Sequence, residues 1–254
     1  MNLGNVFNLI LYQPLFNALI LLYQFLPGHD FGVAVIALTI LIRLFLSPLM
    51  IQSLKSQKAL SGLQKKVQEI QQKHNKDKEK QAKEIMMLYQ KEKINPLAGF
   101  LPLLIQLPIL IALYRVFWSG LQPEQINHLY SFVPKPELIN PSFLGILDLS
   151  QPSFVLAVFA GISQFFQSKV MSSSQISGAG QVLKEKNQAA QVSKQISKQM
   201  LYFFPIFTIL ILLRLPAAVG LYWVITILFS IFQQRLVFKS KGEEDKSSSS
   251  PSLT

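Results

Sequence analysis

Arg43 is the residue of this sequence whose surroundings most need a chemical explanation. It lies in ALTILIRLFLSPL, residues 37–49, a stretch that is otherwise apolar. A charged side chain deep in a bilayer is tolerated where it faces protein or a water-filled recess and meets a partner. Such a group offers an anion-binding site, so the first question is whether this chain supplies the anion.

No carboxylate lies within a predicted span. All thirteen acidic residues fall between the apolar blocks of the chain, and so do the three histidines. Neutral polar residues of other apolar blocks are suited to line a recess around Arg43, namely Gln106, Gln164 and Trp223. Such groups hydrate a guanidinium but do not neutralise it. The cation therefore remains available to an anionic visitor.

Snorkelling is the other explanation of Arg43. The residue precedes Met50 by about 10 Å of helix axis, and a long side chain can bend part of that distance towards the cytoplasmic headgroups. Against this, snorkelling residues usually occupy the last turn of a span, whereas LFLSPL follows Arg43. The residues alone leave a snorkelling arginine and a hydrated recess both open.

The same inventory excludes several classes of protein. There is no cysteine, hence no disulfide, thiolate chemistry or cysteine metal site. Proton and cation pumps generally rely on intramembrane acids or histidines, and a hydrolase needs a nucleophile with its base. The predicted spans contain none of these, so we expect no enzymatic activity, no cofactor and no metal site.

The elements that carry Arg43 and its neighbours are predicted to be membrane helices. Half of the 254 residues are hydrophobic and only 15% are charged, against about a quarter in soluble domains. A span needs about 20 mostly apolar residues, and the block 200–213 is short by that measure. We predict an all-α, polytopic membrane protein with a five-helix core within residues 31–237. The apolar blocks are 31–51, 97–118, 153–171, 200–213 and 217–237.

Lysine and arginine are concentrated on one side of these spans. Segment 52–95 holds eleven lysines, 172–199 holds four and 235–254 holds four basic residues, whereas 1–30 holds none and 119–152 holds one. Cytoplasmic loops carry the excess of basic residues, so five spans place the N-terminus outside and the C-terminus in the cytoplasm. Because neither a signal peptide nor a transit peptide is visible, a bacterial plasma membrane is expected.

Residues 1–30 contain an additional apolar helix, at 5–26, whose placement has two readings. Gln13, Asn17 and Gln24 recur at spacings of four and seven and so share one helical face. This favours a helix that lies in the outer interface, although its length also allows a sixth span.

The cytoplasmic segment 52–95 is predicted to form an antiparallel helical hairpin. Two apolar stripes flank a turn at residues 75–77, where Asp77 is a candidate N-cap. Its eleven lysines outnumber its five acids, which describes either a solvated face or a docking surface for lipid headgroups, ribosomal RNA or a targeting partner. The stripes are Leu60, Leu63, Val67 and Ile70, then Ala82, Ile85, Met86 and Tyr89.

Three further segments are predicted to be irregular. Segment 172–199 has the composition of a mobile cytoplasmic loop with some helix, and residues 238–254 that of a disordered cytoplasmic tail. The outer loop 119–152 contains five prolines and is expected to be irregular and exposed.

Taken together, these residues resemble the YidC/Oxa-type membrane protein insertases, from about residue 32 to 234. The resemblance rests on Arg43, the lysine-rich hairpin, INPLAGFLPLLIQLPILIALYRVFW (94–118) and FPIFTILILLRLPAAVGLYWVITILFSIFQQ (204–234). The motif positions are Asn95, Pro96, Gly99, Pro102, Gln106 and Pro108, then Pro216, Leu221, Tyr222 and Trp223.

The resemblance implies a hydrophilic groove that is open to the cytoplasm and to lipid and closed outside. Arg43 would be its arginine, with Gln106, Trp223 and the adjacent Tyr222 at matching positions and Gln164 as further lining. In the family, this arginine attracts acidic residues in the tail of a client, and the insertase consumes no nucleotide. The implied partners are nascent membrane proteins, membrane lipids, the Sec translocon, the ribosome and the signal-recognition-particle receptor.

Two residues depart from the family pattern: Ala218 replaces the usual glycine after Pro-Ala, and Ile227 replaces a common asparagine. Both concern packing of the last helix and not the groove. Two competing functions stay open at this point. An anion or lipid-headgroup transporter would use Arg43 as its binding site, and a scaffold would act through the hairpin alone.

Overall fold

The computed structural model describes residues 2–95, 101–119, 129–179 and 202–247. Helices make up most of this part of the chain, as the all-α prediction requires. They belong to two compact units, which are taken separately below. The helices are α1 (Leu3–Phe7), α2 (Gln13–Phe25), α3 (Phe31–Gly62), α4 (Gln64–Lys73), α5 (Lys78–Lys91), α6 (Leu101–Ser119), α7 (Phe154–Ala179), α8 (Tyr202–Leu212) and α9 (Ala217–Ser247).

Three helices of the described chain are long and apolar enough to cross a bilayer. They are Gly4–Phe25, Phe31–Gly62 and Ala217–Val237, while Leu104–Trp118 and Tyr202–Leu212 are apolar but shorter. The chain is therefore a polytopic membrane protein. The exact five-helix core and the interfacial placement of residues 1–30 stay predictions.

The first unit comprises Met1–Leu46, Leu103–Phe166 and Tyr202–Phe229. Small residues bring its helices close together, because a short side chain lets two backbones approach. Ala34, Ala160 and Ala218 are fully buried. At Gly161 of α7, a Cβ atom would come within 2.5 Å of the Ile209 side chain on α8, so a larger residue would force that side chain to move.

The connection between α6 and α7 contains a short β-hairpin and contacts the start of α9. Strands β1 (Ser142–Phe143) and β2 (Leu147–Asp148) form a short antiparallel hairpin. The backbone N–H of Ala218 donates to the carbonyl of Leu149 at 3.0 Å, and that of Ala217 donates to Gln151 at 2.9 Å. The prediction of an irregular outer loop is thus wrong for residues 142–148. Two-residue strands are too short to produce a periodic sequence signal.

Helices α1 and α2 join through a π-helical turn, Asn8–Tyr12. Asn17 of α2 is only 1% exposed. Its side-chain oxygen accepts from the backbone of Tyr130 at 2.6 Å, and its amide donates to the Gln13 carbonyl at 2.7 Å. At Asn17, therefore, the polar face of this helix is turned into the protein.

The second unit comprises Ser47–Pro102, Gln167–Leu201 and Ser230–Thr254. Here α4 and α5 lie antiparallel, because Lys66 contacts Glu92 at 2.6 Å and Gln81 donates to the Gln71 carbonyl at 3.1 Å. Asp77 caps α5 by accepting from the backbone N–H of Lys80 at 2.9 Å, which confirms the predicted N-cap.

Three helices continue beyond the predicted apolar blocks. Helix α3 runs through Pro48 to Gly62, α7 extends to Ala179 and α9 extends to Ser247. The helix at 172–179 agrees with the prediction of a loop with some helix, whereas the helix at 238–247 replaces part of the predicted disordered tail. A formed helix gains one hydrogen bond for each added residue, so it can continue from apolar into polar sequence. Residues 180–201 and 248–254 lie outside the described chain.

Candidate functional site

Arg43 lies on α3 inside the first unit and is 5% exposed. Its Nη2 donates to Oε1 of Gln106 on α6 at 3.0 Å. This pair joins the two residues that the sequence pattern placed in a polar recess. The partner is a neutral amide, so the guanidinium charge is hydrogen-bonded without being neutralised.

Gln106 connects Arg43 to α9. Its amide Nε2 donates to the hydroxyl oxygen of Tyr222, which is 1% exposed. Tyr222 also interacts with Thr226, one turn later on α9. Because both ends of the Gln106 amide are engaged, its carbonyl is held towards Arg43. Thr226 was absent from the sequence prediction, since a threonine in an apolar block usually bonds its own helix.

Trp223 and Gln164 form a second polar contact. The indole Nε1 of Trp223 donates to Oε1 of Gln164 on α7 at 3.0 Å. Tyr222 and Trp223 are consecutive on α9, so their side chains point about 100° apart around the helix. The structure therefore divides the five predicted lining residues into two hydrogen-bonded groups, one with Arg43 and one without it.

Charge is unevenly matched among the side chains that the structure describes. The contacts between basic and acidic side chains both lie in the hairpin, Lys66–Glu92 at 2.6 Å and His74–Glu84 at 2.9 Å. In the first unit, no described carboxylate lies within ion-pair distance of Arg43. The site can thus accept an anion without first breaking a salt bridge.

The predicted motif residues are only partly described. Pro96 and Gly99 lie outside the described chain, and Asn95 is an exposed residue after α5. Pro102 lies in the first turn of α6, where its missing N–H has no helical acceptor to lose. Pro108 lies within α6, and Pro216 is buried immediately before α9.

Arg115 is a second arginine in an apolar block, which the pattern of acids and amides did not single out. It is exposed near the end of α6. Its Nη1 donates to Oδ1 of Asn8 at 2.7 Å, and its guanidinium carbon lies 5.0 Å from the Tyr12 ring centroid and 5.8 Å from that of Phe7. The signal that marks Arg43, a guanidinium among apolar residues, marks this residue equally.

Comparison with known proteins decides the family. A family model described as 60Kd inner membrane protein matches residues 21–244. The Membrane protein insertase YidC 1 of Listeria monocytogenes serotype 4b is 35% identical over 225 residues, which are 86% of this chain and 68% of that relative. The chain belongs to the YidC/Oxa family. The expected family resemblance is confirmed.

Other YidC/Oxa relatives match over similar lengths. The Membrane protein insertase MisCA of Bacillus subtilis is 36% identical over 231 residues, covering 89% of this chain and 76% of the relative. The Membrane protein insertase YidC of Fusobacterium nucleatum is 35% identical over 210 residues, covering 83% and 87% respectively. The match therefore spans the membrane helices and the hairpin, not one motif.

Proposed function

We propose that this chain inserts membrane proteins into the bacterial plasma membrane, and that Arg43 attracts acidic residues of the client. The observation that carries the proposal is a buried arginine whose described hydrogen-bond partner is a neutral amide. Membership of the YidC/Oxa family and the insertase names of the relatives support it. The reaction is a transfer between phases and requires no covalent step.

Exchange of partners at Arg43 provides the driving force for capture. A hydrogen bond between two charged groups is roughly twice as strong as one between neutral groups. A client carboxylate is therefore a better acceptor for the guanidinium than the Gln106 carbonyl. The amide keeps the site hydrogen-bonded while empty and yields to the client, which lowers the barrier to moving an acidic tail through the apolar layer.

The proposed groove opens to the cytoplasm and is lined by Arg43, Gln106, Tyr222, Gln164 and Trp223. These residues belong to four helices and are hydrogen-bonded in two groups.

The helix α8 is also proposed to ease the passage of the client tail through the apolar layer. The apolar block 200–213 would measure about 21 Å as a helix, below the roughly 30 Å of hydrocarbon, and short spans thin the bilayer around them.

Residues 1–30 are proposed to lie on the outer face. Tyr12 contacts Arg115, while Tyr23 makes an edge-to-face contact with Phe31, which makes another with Phe117. Tyr12 and Tyr23 are about 16 Å apart along their helix, yet both are linked to the last turn of α6. This supports a helix that crosses the end of α6 and does not descend beside it. It agrees with an outer N-terminus and a cytoplasmic C-terminus.

The lysine-rich hairpin is proposed to contact the Sec translocon, the ribosome or the signal-recognition-particle receptor during client handover. Its support is charge: eleven lysines against five acids in residues 52–95. Glu92 pairs with Lys66 within the hairpin, which cancels one charge of each sign and leaves the excess of basic residues unchanged.

The Arg43→Ala variant tests the proposal. Its insertion of a client with an acidic tail is compared with that of the wild-type chain. We expect at least a tenfold loss of translocated tail, measured by protease protection in vesicles, while a client with a neutral tail is affected much less. Arg43→Lys should retain part of the activity, because it keeps the charge. Arg214→Ala is the matched control, since it removes an exposed arginine outside the proposed groove.

Two outcomes would contradict the charge mechanism. If Arg43→Lys is as inactive as Arg43→Ala, attraction of charge is not what the guanidinium does. If Arg43→Ala inserts normally and removal of the hairpin alone abolishes insertion, the chain acts as a scaffold. Flux of an anion through liposomes that depends on Arg43 would favour a transporter.

A further inference from the structure

The β-hairpin of the first unit exposes apolar residues at its tip. Residues 144–146 connect the paired strands, and Ile146 N–H donates to the Phe143 carbonyl at 3.0 Å. Leu144 is 63% exposed and Ile146 is 87% exposed. These are large apolar side chains on a turn, where polar residues or glycine are usual.

The tip is held firmly against the first turn of α3. The Asp30 carboxylate accepts from the backbone N–H of Leu144 and also from that of Val33 at 2.8 Å, so one side chain fixes both the turn and the helix start. The ring of Phe143 occupies the space that a Cβ atom at Gly32 would fill. The hairpin is therefore a fixed part of the membrane unit.

Leu144 has a backbone φ of 53°, in the left-handed region that disfavours residues with a side chain other than asparagine or aspartate. The neighbouring Gly145, at φ 68°, adopts such a conformation without this cost. Because the Leu144 side chain is mostly exposed, burial within the chain does not offset the strain. Folding alone therefore does not account for a leucine at this position.

We propose that Leu144 and Ile146 insert into the outer leaflet of the bilayer and anchor this end of the protein among the acyl chains. The tip is tied to Asp30, one residue before α3 begins at Phe31, and α3 is long enough to span the membrane. The tip therefore lies at the level where α3 enters the bilayer. An apolar turn at that depth meets lipid, which places its side chains in the solvent they favour. The anchor is independent of the client-binding site.

Spin labelling tests this placement directly, because the chain contains no cysteine. We would label Ile146→Cys with a nitroxide in the full chain, reconstituted in vesicles of phosphatidylglycerol and phosphatidylethanolamine. Glu137→Cys is the matched control, an exposed position of the same connection. The ratio of oxygen to nickel-chelate collisions should be several-fold higher at 146 than at 137.

Other results would overturn the anchor. Equal ratios at 146 and 137 would place the tip in water, and low access to both reagents at 146 would mean that protein covers it. Adding Leu144→Asn to the labelled Ile146→Cys chain should lower the ratio at 146 and leave far-ultraviolet circular dichroism unchanged. An unchanged ratio would overturn the role assigned to Leu144.

Discussion

Arg43 and Arg115 are two arginines in apolar helices of the same unit, and their surroundings differ. Arg43 is buried, and its described hydrogen-bond partner is an amide oxygen. Arg115 is exposed, donates to Asn8 and lies over two aromatic rings. Both are held without a described carboxylate. Among the described rings, only Arg115 has a cation–π contact, and the electron density of an aromatic face partly balances a cation.

The difference separates a structural arginine from a site for a visitor. Arg115 ties the α1 segment to the end of α6, and its contacts come from the residues that it positions. The contacts of Arg43 come from an amide that also bonds Tyr222, and a carboxylate is a stronger acceptor than that amide. The same side chain therefore serves as a clamp at one place and as an anion receptor at the other.

Gln106→Glu should have the largest effect, because it supplies Arg43 with a resident counter-ion. The carboxylate would stand where the amide oxygen now lies, 3.0 Å from Nη2. We expect at least a tenfold loss of insertion for a client with an acidic tail, measured by protease protection, without a loss of thermal stability. At an effective dielectric constant near 20, two opposite charges at close range attract each other by several kcal/mol. A client carboxylate would have to displace this resident partner from Arg43.

Gln164→Glu is the control for that variant. It makes the same chemical change in the group that contains Trp223 and lacks Arg43, so insertion should fall much less. Normal insertion of the acidic client by Gln106→Glu would show that the free charge of Arg43 is not required. The comparison of the two arginines would then have to be abandoned.

Arg115→Gln should have an intermediate effect, confined to the first helix. It removes one hydrogen bond and two cation–π contacts, together about 1–2 kcal/mol. Backbone amides of residues 3–12 should exchange with deuterium roughly five- to thirtyfold faster, while insertion of clients stays near normal. Unchanged exchange, or a loss of insertion as large as that of Arg43→Ala, would contradict the assignment of Arg115 as a clamp.

The smallest effect is expected for the Lys66–Glu92 pair of the hairpin, which changes the pKa of one carboxyl group. The hydrogen bond and charge of Lys66 hold the pKa of Glu92 below its ordinary value of 4.5. A carboxyl group whose pKa is lower in the folded than in the unfolded chain stabilises the fold at pH values above the pKa of the unfolded chain. This contribution is lost as the pH falls through the pKa of the folded chain. Titration by carboxyl carbon NMR should therefore show Glu92 ionising below 4.5.

Lys66→Met provides the control for this titration, and it should bring the pKa of Glu92 back towards 4.5. If the wild-type chain already titrates at 4.5, the Lys66–Glu92 contact is absent in solution. Because Glu92 lies at the surface of the hairpin and is not one of the proposed groove residues, we expect insertion at neutral pH to remain near normal in the variant.

Much of the candidate site follows from one rule applied to the sequence, that a polar residue in an apolar block needs a partner. The rule selects Arg43, Gln106, Gln164 and Trp223, and it applies to Arg115 as well. It does not pair them. Tyr222 and Trp223 are neighbours in the chain but bond different helices, and only the rotation of α9 in the folded protein decides which one faces Gln106.

The ends of the helices were predicted less well than their positions. Apolar composition marks the part of a helix that lies in hydrocarbon, whereas α3, α7 and α9 continue beyond that layer through lysine, glutamine and serine. The β-hairpin was missed for another reason. It is held by Asp30 and by contact of Phe143 with Gly32, more than 100 residues earlier in the chain, and no local pattern encodes such a contact.

The amino-acid sequence by itself determined that this is a helical membrane protein, where its apolar blocks lie and which segments carry the basic residues. Those properties follow from transfer energies that add residue by residue along the chain. Only the tertiary structure decided that Arg43 meets Gln106, that Trp223 meets Gln164 and that Arg115 is held by Asn8. Such contacts depend on the rotation and depth of one helix against another, which packing between distant segments sets.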